Sequence, residues 1–199
     1  MDTATDFVLL QCVLDDPSAL APAAAQWCAT SAVPMALHRA AWQGTSRTAY
    51  VYGRLAASER LGDEVVQSLA MLWARVCADS QDIRVSRLEL AFDARGASQG
   101  GVPRFHYVVE MSPEDGWMDE ISRWYDTEHM PGLAAVPGCI HARRLINRDH
   151  GPLSLACYDL MSEETLGSPP WLAVRGTAWS DITRPHFTNT KRTMMKVIA

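Results

Sequence analysis

The feature that most constrains this chain is that it repeats itself. Trp27, Thr30 and Pro34 in W-C-A-T-S-A-V-P recur at identical spacing as Trp124, Thr127 and Pro131 in W-Y-D-T-E-H-M-P. A second echo follows each one. Glu59, Leu61 and Gly62 in S-E-R-L-G match Glu164, Leu166 and Gly167 in E-E-T-L-G. Two echoes in the same order point to one folding unit used twice.

The hydrophobic pattern around the echoes also repeats. In the first half, 7–14 is an apolar run of strand length. Residues 18–32 are Ala-rich and helical, with Asp16, Pro17 and Ser18 as a start signal. Strands are expected at 37–43 and 48–55, around the turn residues Gly44-Thr45-Ser46. An amphipathic helix over 58–78 places Leu61, Val65, Leu69, Leu72 and Val76 on one face. A strand over 85–92 completes a βαββαβ order. The second half reads the same way. Strands are expected at 105–111, 139–146, 153–160 and 191–198, with helices over 112–130 and 163–175. Pro169-Pro170 is expected to break the last helix early. Residues 95–103, R-G-A-S-Q-G-G-V-P, have linker composition. Residues 1–95 and 104–199 therefore read as two domains joined by a linker over 96–103. One βαββαβ unit leaves a sheet face bare, and two units can cover each other. The expected fold is α+β, two tandem ferredoxin-like halves forming a pseudo-dimeric α+β barrel with the sheets facing each other.

Composition narrows the function. Acidic residues outnumber basic ones, 23 to 18, for a net charge of −5. That disfavours a nucleic-acid binder, which needs cations to displace counterions from phosphate. The five cysteines are odd in number and form no C-x-x-C pair, so neither a disulfide framework nor a structural zinc site is expected. H-x-H and H-E-x-x-H spacings are missing, so no metal site is expected. The start M-D-T-A-T-D lacks a basic leader region. No apolar run approaches the roughly 18 residues of a membrane span. A cytoplasmic protein with no nucleic-acid or membrane partner is the expectation.

The most informative segment is W-Y-D-T-E-H-M-P. At about 100° per residue, Trp117, Ile121, Trp124, Tyr125 and Glu128 share one helical face, with His129 at its edge and Asp126 pointing away. A carboxylate, a phenol and an imidazole thus border an apolar face, where each needs a partner or a shifted pKa. A structural role competes: Glu128 as a cap, Tyr125 as core and His129 favoured at a helix C-terminus when charged. The matching first-half positions are Cys28, Ala29, Ser31 and Ala32, so the polar set belongs to the second half alone.

W-Y-D-T-E-H-M-P-G-L, then V-P-G-C-I-H-A-R-R, Trp171, Trp179 and R-P-H-F-T-N-T, resembles the EthD-like branch of the dimeric α+β barrel superfamily. The resemblance covers roughly residues 105–199. It implies a cavity between helices and sheet, with the family's histidine falling on His129. Members include cofactor-independent monooxygenases, muconolactone isomerases, polyketide cyclases, decarboxylases and haem enzymes, and the fold does not choose among them. Members usually pair two chains. This chain carries both halves, and a homodimer stays open.

His106 and Glu110 share a strand face. His141 and His38 lie on strands that could reach the same cavity. The expected catalytic set is His129 as general acid or base, Glu128 to tune it and Tyr125 to bind a substrate oxygen. Trp124, Trp171, His106 and His141 are the expected substrate-binding residues. Several indoles suit a flat aromatic or polyketide-like small molecule. The reaction expected is proton transfer (cyclisation, dehydration, isomerisation or decarboxylation) with no cofactor. The alternatives are a cofactor-free monooxygenase, a non-catalytic binding barrel, and a haem protein with His129, His141 or His186 as axial ligand.

Overall fold

A computed structural model describes residues 4–199. The start Met1–Thr3, part of the stretch read above for a leader, lies outside them. The described chain divides into two units.

The first unit holds the described residues up to Leu90, with 147–150 and 195–199. Its elements are β1 (Thr5–Val13), α1 (Leu20–Thr30), β2 (Met35–Gln43), β3 (Thr48–Glu59), α2 (Asp63–Val76) and most of β4 (Gln81–Arg95). The strands pair antiparallel in the order β4-β1-β3-β2, with Phe7 opposite Leu88, Leu9 opposite Tyr52 and Ala41 opposite Tyr50. That order is what two βαβ crossovers on one sheet face produce. The core explains the Ala-rich helix. Ala23 and Ala24 are small enough for α1 to lie close to the sheet, and Trp27 fills the space left over. The Trp27 indole N–H donates to the Leu69 carbonyl at 2.9 Å, and its ring meets Trp73 edge-on at 5.9 Å. The tail closes the unit: Ala40 N–H donates to the Ala199 carbonyl at 2.6 Å. Arg87 is held by Asp149 through its backbone N–H and its guanidinium.

The second unit holds 91–146 and 151–194. It contains β5 (Phe105–Pro113), α3 (Met118–Trp124), a π-helical turn (Tyr125–His129), α4 (Met130–Ala134), β6 (Cys139–Asn147), β7 (Ser154–Leu160), α5 (Pro169–Arg175), α6 (Ala178–Thr183) and most of β8 (Phe187–Val197). Its strand order is β8-β5-β7-β6, which matches the first unit position for position. The α+β class and the paired ferredoxin-like βαββαβ units are therefore as expected.

Several boundaries differ from expectation. Ser58 and Glu59 continue β3, so α2 is shorter than the periodicity suggested. The helix expected over 112–130 is three segments. The helix expected over 163–175 is interrupted at the prolines, as expected: Glu163–Gly167 is a 3-10 helix and Ser168 is extended. Pro169-Pro170 then starts α5, where a missing N–H costs nothing and the fixed φ suits the first turn. The short α6 was not foreseen. Residues 96–103 have linker composition but a fixed path. Gly96 and Ser98 N–H groups donate to the carbonyls of Ile140 and Cys139 at 2.8 and 2.9 Å. A Cβ on Gly96 would lie 2.1 Å from the Cys139 carbonyl oxygen, so the chain can pass there only as glycine. Among the described residues, no helix is long and apolar enough to cross a membrane.

Candidate functional site

The site grows from an irregularity in one helix. After Trp124 the backbone takes a π-helical turn, and the Met130 N–H donates to the Tyr125 carbonyl five residues back. Such single turns often mark functional sites, because one extra residue per turn re-aims the side chains that follow. Residues five apart then come together. His129 stacks on Trp124, with ring centroids 4.1 Å apart at 23°, and meets the edge of Tyr125 at 5.7 Å. In a regular α-helix His129 would sit at the edge of the face. Here it is buried.

The same turn corrects two side-chain assignments. Glu128 does not pair with His129. It accepts a 2.6 Å hydrogen bond from the Thr177 hydroxyl and so ties the turn to the start of α6. Asp126 does not point away into water. It accepts from the buried Arg144 guanidinium at 2.8 and 2.9 Å. The comparison with the first half also needs correcting. α1 ends at Thr30 and Ser31 is already extended, so Ser31 and Ala32 follow a different path from Glu128 and His129 despite the equal spacing.

A small cavity of about 30 Å³ opens beside the imidazole. Tyr107, Tyr125, Tyr158, Trp124 and Trp171 give it an aromatic lining, with Val109 beside them. Tyr107 and Tyr158 come from neighbouring positions on β5 and β7, and Trp171 meets them edge-on from α5 at 6.3 and 5.2 Å. Phe187 lies against Trp124 and Tyr125 from the start of β8. The expectation of room for an aromatic molecule is not met by the space as it stands. A cavity that takes benzene is about 150 Å³.

Three buried nitrogens at this cavity have no hydrogen-bond partner among the described residues: His129 Nδ1, Trp124 Nε1 and Trp171 Nε1. An unmet buried donor or acceptor costs about 1–3 kcal/mol. The counterpart of Trp124 in the first unit, Trp27, has its N–H satisfied. Burial, then Arg184 and Arg175, push the His129 pKa down to about 3, so the imidazole is neutral at physiological pH. Burial raises the Tyr125 phenol well above its ordinary value, and it stays protonated.

Two expected binding residues lie elsewhere. His106 alternates with Tyr107 along β5 and so faces the other side of the sheet. There its Nδ1 is 2.8 Å from Asp159, both buried. His141 is 2.7 Å from Asp93 and 3.2 Å from Arg143. Burial and Arg143 lower its pKa. Neither lines the cavity beside His129. Trp124 and Trp171 do. His38 belongs to the first unit, edge-on to Phe7. Three lining residues were missed by the sequence reading: Arg175, Arg184 and Arg192.

A porphyrin does not fit these residues. The space beside His129 is far too small, and the ring lies flat on an indole. His186 stacks on Trp117 at 3.4 Å and is 2.6 Å from Glu114, and His141 is tied to Asp93. Among the described residues, no group of three or more His, Cys, Asp or Glu is placed to hold a metal ion.

No protein-family model matches the chain, and no curated protein matches it in sequence. Solved structures do match in shape. One is an anthrone oxidase-like protein, 14% identical, with a TM-score of 0.65 over 100% of this chain and 92% of that one. A provisionally named monooxygenase from Lactobacillus acidophilus NCFM is 11% identical, with a TM-score of 0.61 over 98% and 93%. A chlorite dismutase from Candidatus Nitrospira defluvii is 7% identical, with a TM-score of 0.60 over 98% and 92%. At these identities the likeness is one of fold.

Proposed function

We propose that this chain is an EthD-like enzyme that needs no organic cofactor and removes a proton from an aromatic or polyketide-like substrate. The observation that carries the reading is the buried, unpartnered Nδ1 of a neutral His129 at a cavity. A neutral imidazole is a base, so of the two roles expected for His129 the acid is set aside for the resting enzyme. A pKa near 3 makes a weak base while the site is empty. Proton transfer creates an anion on the substrate, and a nearby anion favours the imidazolium. The base therefore strengthens as the reaction proceeds. Tyr125, kept protonated, donates to the substrate oxygen that gathers charge. Glu128 acts at one remove, holding the π-helical turn through Thr177. Cyclisation, dehydration, isomerisation and decarboxylation can all follow from this step.

A second reading shares the first step. The deprotonated, electron-rich substrate reacts with dioxygen, as in a cofactor-free monooxygenase. The neighbours named for monooxygenase and anthrone oxidase-like proteins favour it. An assay with a panel of hydroxylated tricyclic aromatics, followed by oxygen electrode and product mass, separates the two. Oxygen uptake matching turnover selects the monooxygenase. In either case His129→Ala should lower turnover by roughly 10²–10⁴-fold with the circular dichroism unchanged. Full activity in the folded variant eliminates His129 as the base. Binding without turnover of any panel member would instead make the chain a binding barrel.

A further inference from the structure

The cavity beside His129 is lined by three guanidinium-bearing residues from three separate elements. Arg175 ends α5, Arg184 follows α6 and Arg192 lies on β8. Three of the unit's five other arginines have acidic partners: Arg123 with Glu120, Arg143 with Asp93 and Arg144 with Asp126. Among the described residues, none of the three lining arginines has a carboxylate at ion-pair distance. Arg184 makes one hydrogen bond, from Nη1 to the Arg175 carbonyl at 3.4 Å. Asp181 is near enough only to ease its charge.

The rest of the lining agrees. It includes no Asp or Glu. The indole N–H groups of Trp124 and Trp171 have no acceptor among the described residues, and both rings are 1% exposed. Guanidinium groups also only donate. Two buried idle donors beside three like charges, of which Arg175 and Arg184 are half-buried and Arg192 exposed, are best completed by an acceptor-rich group of opposite charge. The free space of about 30 Å³ suits an acidic head group rather than a ring.

We infer that this is an anion site, and that the ligand is an aromatic small molecule carrying an acidic group, a carboxylate or an ionised phenol, seated among Arg175, Arg184, Arg192 and the two indoles. The inference rests on the proposed reading for the aromatic part of the ligand, and on the lining alone for its charge. The head group occupies the existing space. The ring takes its place as the half-buried Phe187 and Arg184 side chains turn aside.

The test uses salicylate against its neutral amide, salicylamide, titrated into the full chain and followed by tryptophan fluorescence and calorimetry. Salicylate should bind at least 10-fold more tightly than salicylamide. Arg184→Gln and Arg192→Gln should each weaken salicylate roughly 10–100-fold, the range for a hydrogen bond to a charged group, and leave salicylamide unchanged. Arg192 is exposed, so its variant serves even where Arg184→Gln fails to fold. Arg123→Gln, already paired outside the cavity, should change nothing. Equal affinities for acid and amide, or salicylate binding indifferent to Arg192→Gln, would overturn the site. His129→Ala separates the two proposals. Arg-dependent salicylate binding with no His129-dependent turnover leaves the anion site standing and removes the catalytic reading. His129-dependent turnover of neutral substrates without salicylate binding does the reverse.

Discussion

A neutral buried histidine makes the protein sensitive to acid in a way that can be worked out. In the unfolded chain the imidazole of His129 takes up a proton near its ordinary value of 6.5. In the folded chain it does so only near 3. Between those values the unfolded state binds more protons, so falling pH favours unfolding. Each unit of pH below 6.5 costs about 1.4 kcal/mol until the folded value is reached. At pH 4.5 the loss from this residue is about 3 kcal/mol, a large part of a typical domain's stability. His129→Asn keeps a planar polar side chain of similar size and cannot titrate. Urea denaturation of parent and variant at pH 7, 6, 5 and 4.5 should therefore give curves that converge as pH falls. The variant starts out less stable, having lost the stacking on Trp124, and its deficit shrinks by about 2–3 kcal/mol across that range. Curves that stay parallel would mean that the imidazole protonates freely in the folded state. The burial argument, and the neutral base built on it, would then fall.

Two further results are expected. Trp27→Phe removes the indole's hydrogen bond to the Leu69 carbonyl, whereas Trp124→Phe removes a donor that has no partner among the described residues, so in urea denaturation the first should cost about 1 kcal/mol more than the second. Asp126→Ala leaves the buried Arg144 guanidinium uncompensated and should cost about 3–5 kcal/mol, much of it recovered in the double variant with Arg144→Met, as a double-mutant cycle would show.

The element order, the two repeated halves and the apolar helical face that carries Trp124 were legible in the sequence, because apolar periodicity and aromatic spacing report directly on element type and on which face is buried. The π-helical turn was not. Its residues carry no composition signal, and a 100° wheel assumes the regular geometry that the turn breaks. Glu128 and Asp126 were misplaced for that reason. His106 and His141 were drawn toward the cavity by residue type, although the alternation of β5 already set His106 opposite Tyr107. The arginine trio was hidden differently. Arg175 reads as a favourable charge in a helix's last turn, and Arg184 and Arg192 as surface cations. Only the fold reveals that three distant positions crowd one cavity without acids.

The first unit takes its last pieces from far along the chain. Asp149, which holds Arg87, and Ala199, which accepts from Ala40, both come from beyond residue 104. A cut between the sequence halves would leave these pieces in the wrong fragment. The sequence halves keep the imprint of a duplication, yet the first unit is completed by segments from the second sequence half. A rearranged gene that swapped the order of the halves would have to carry those loaned segments with the first.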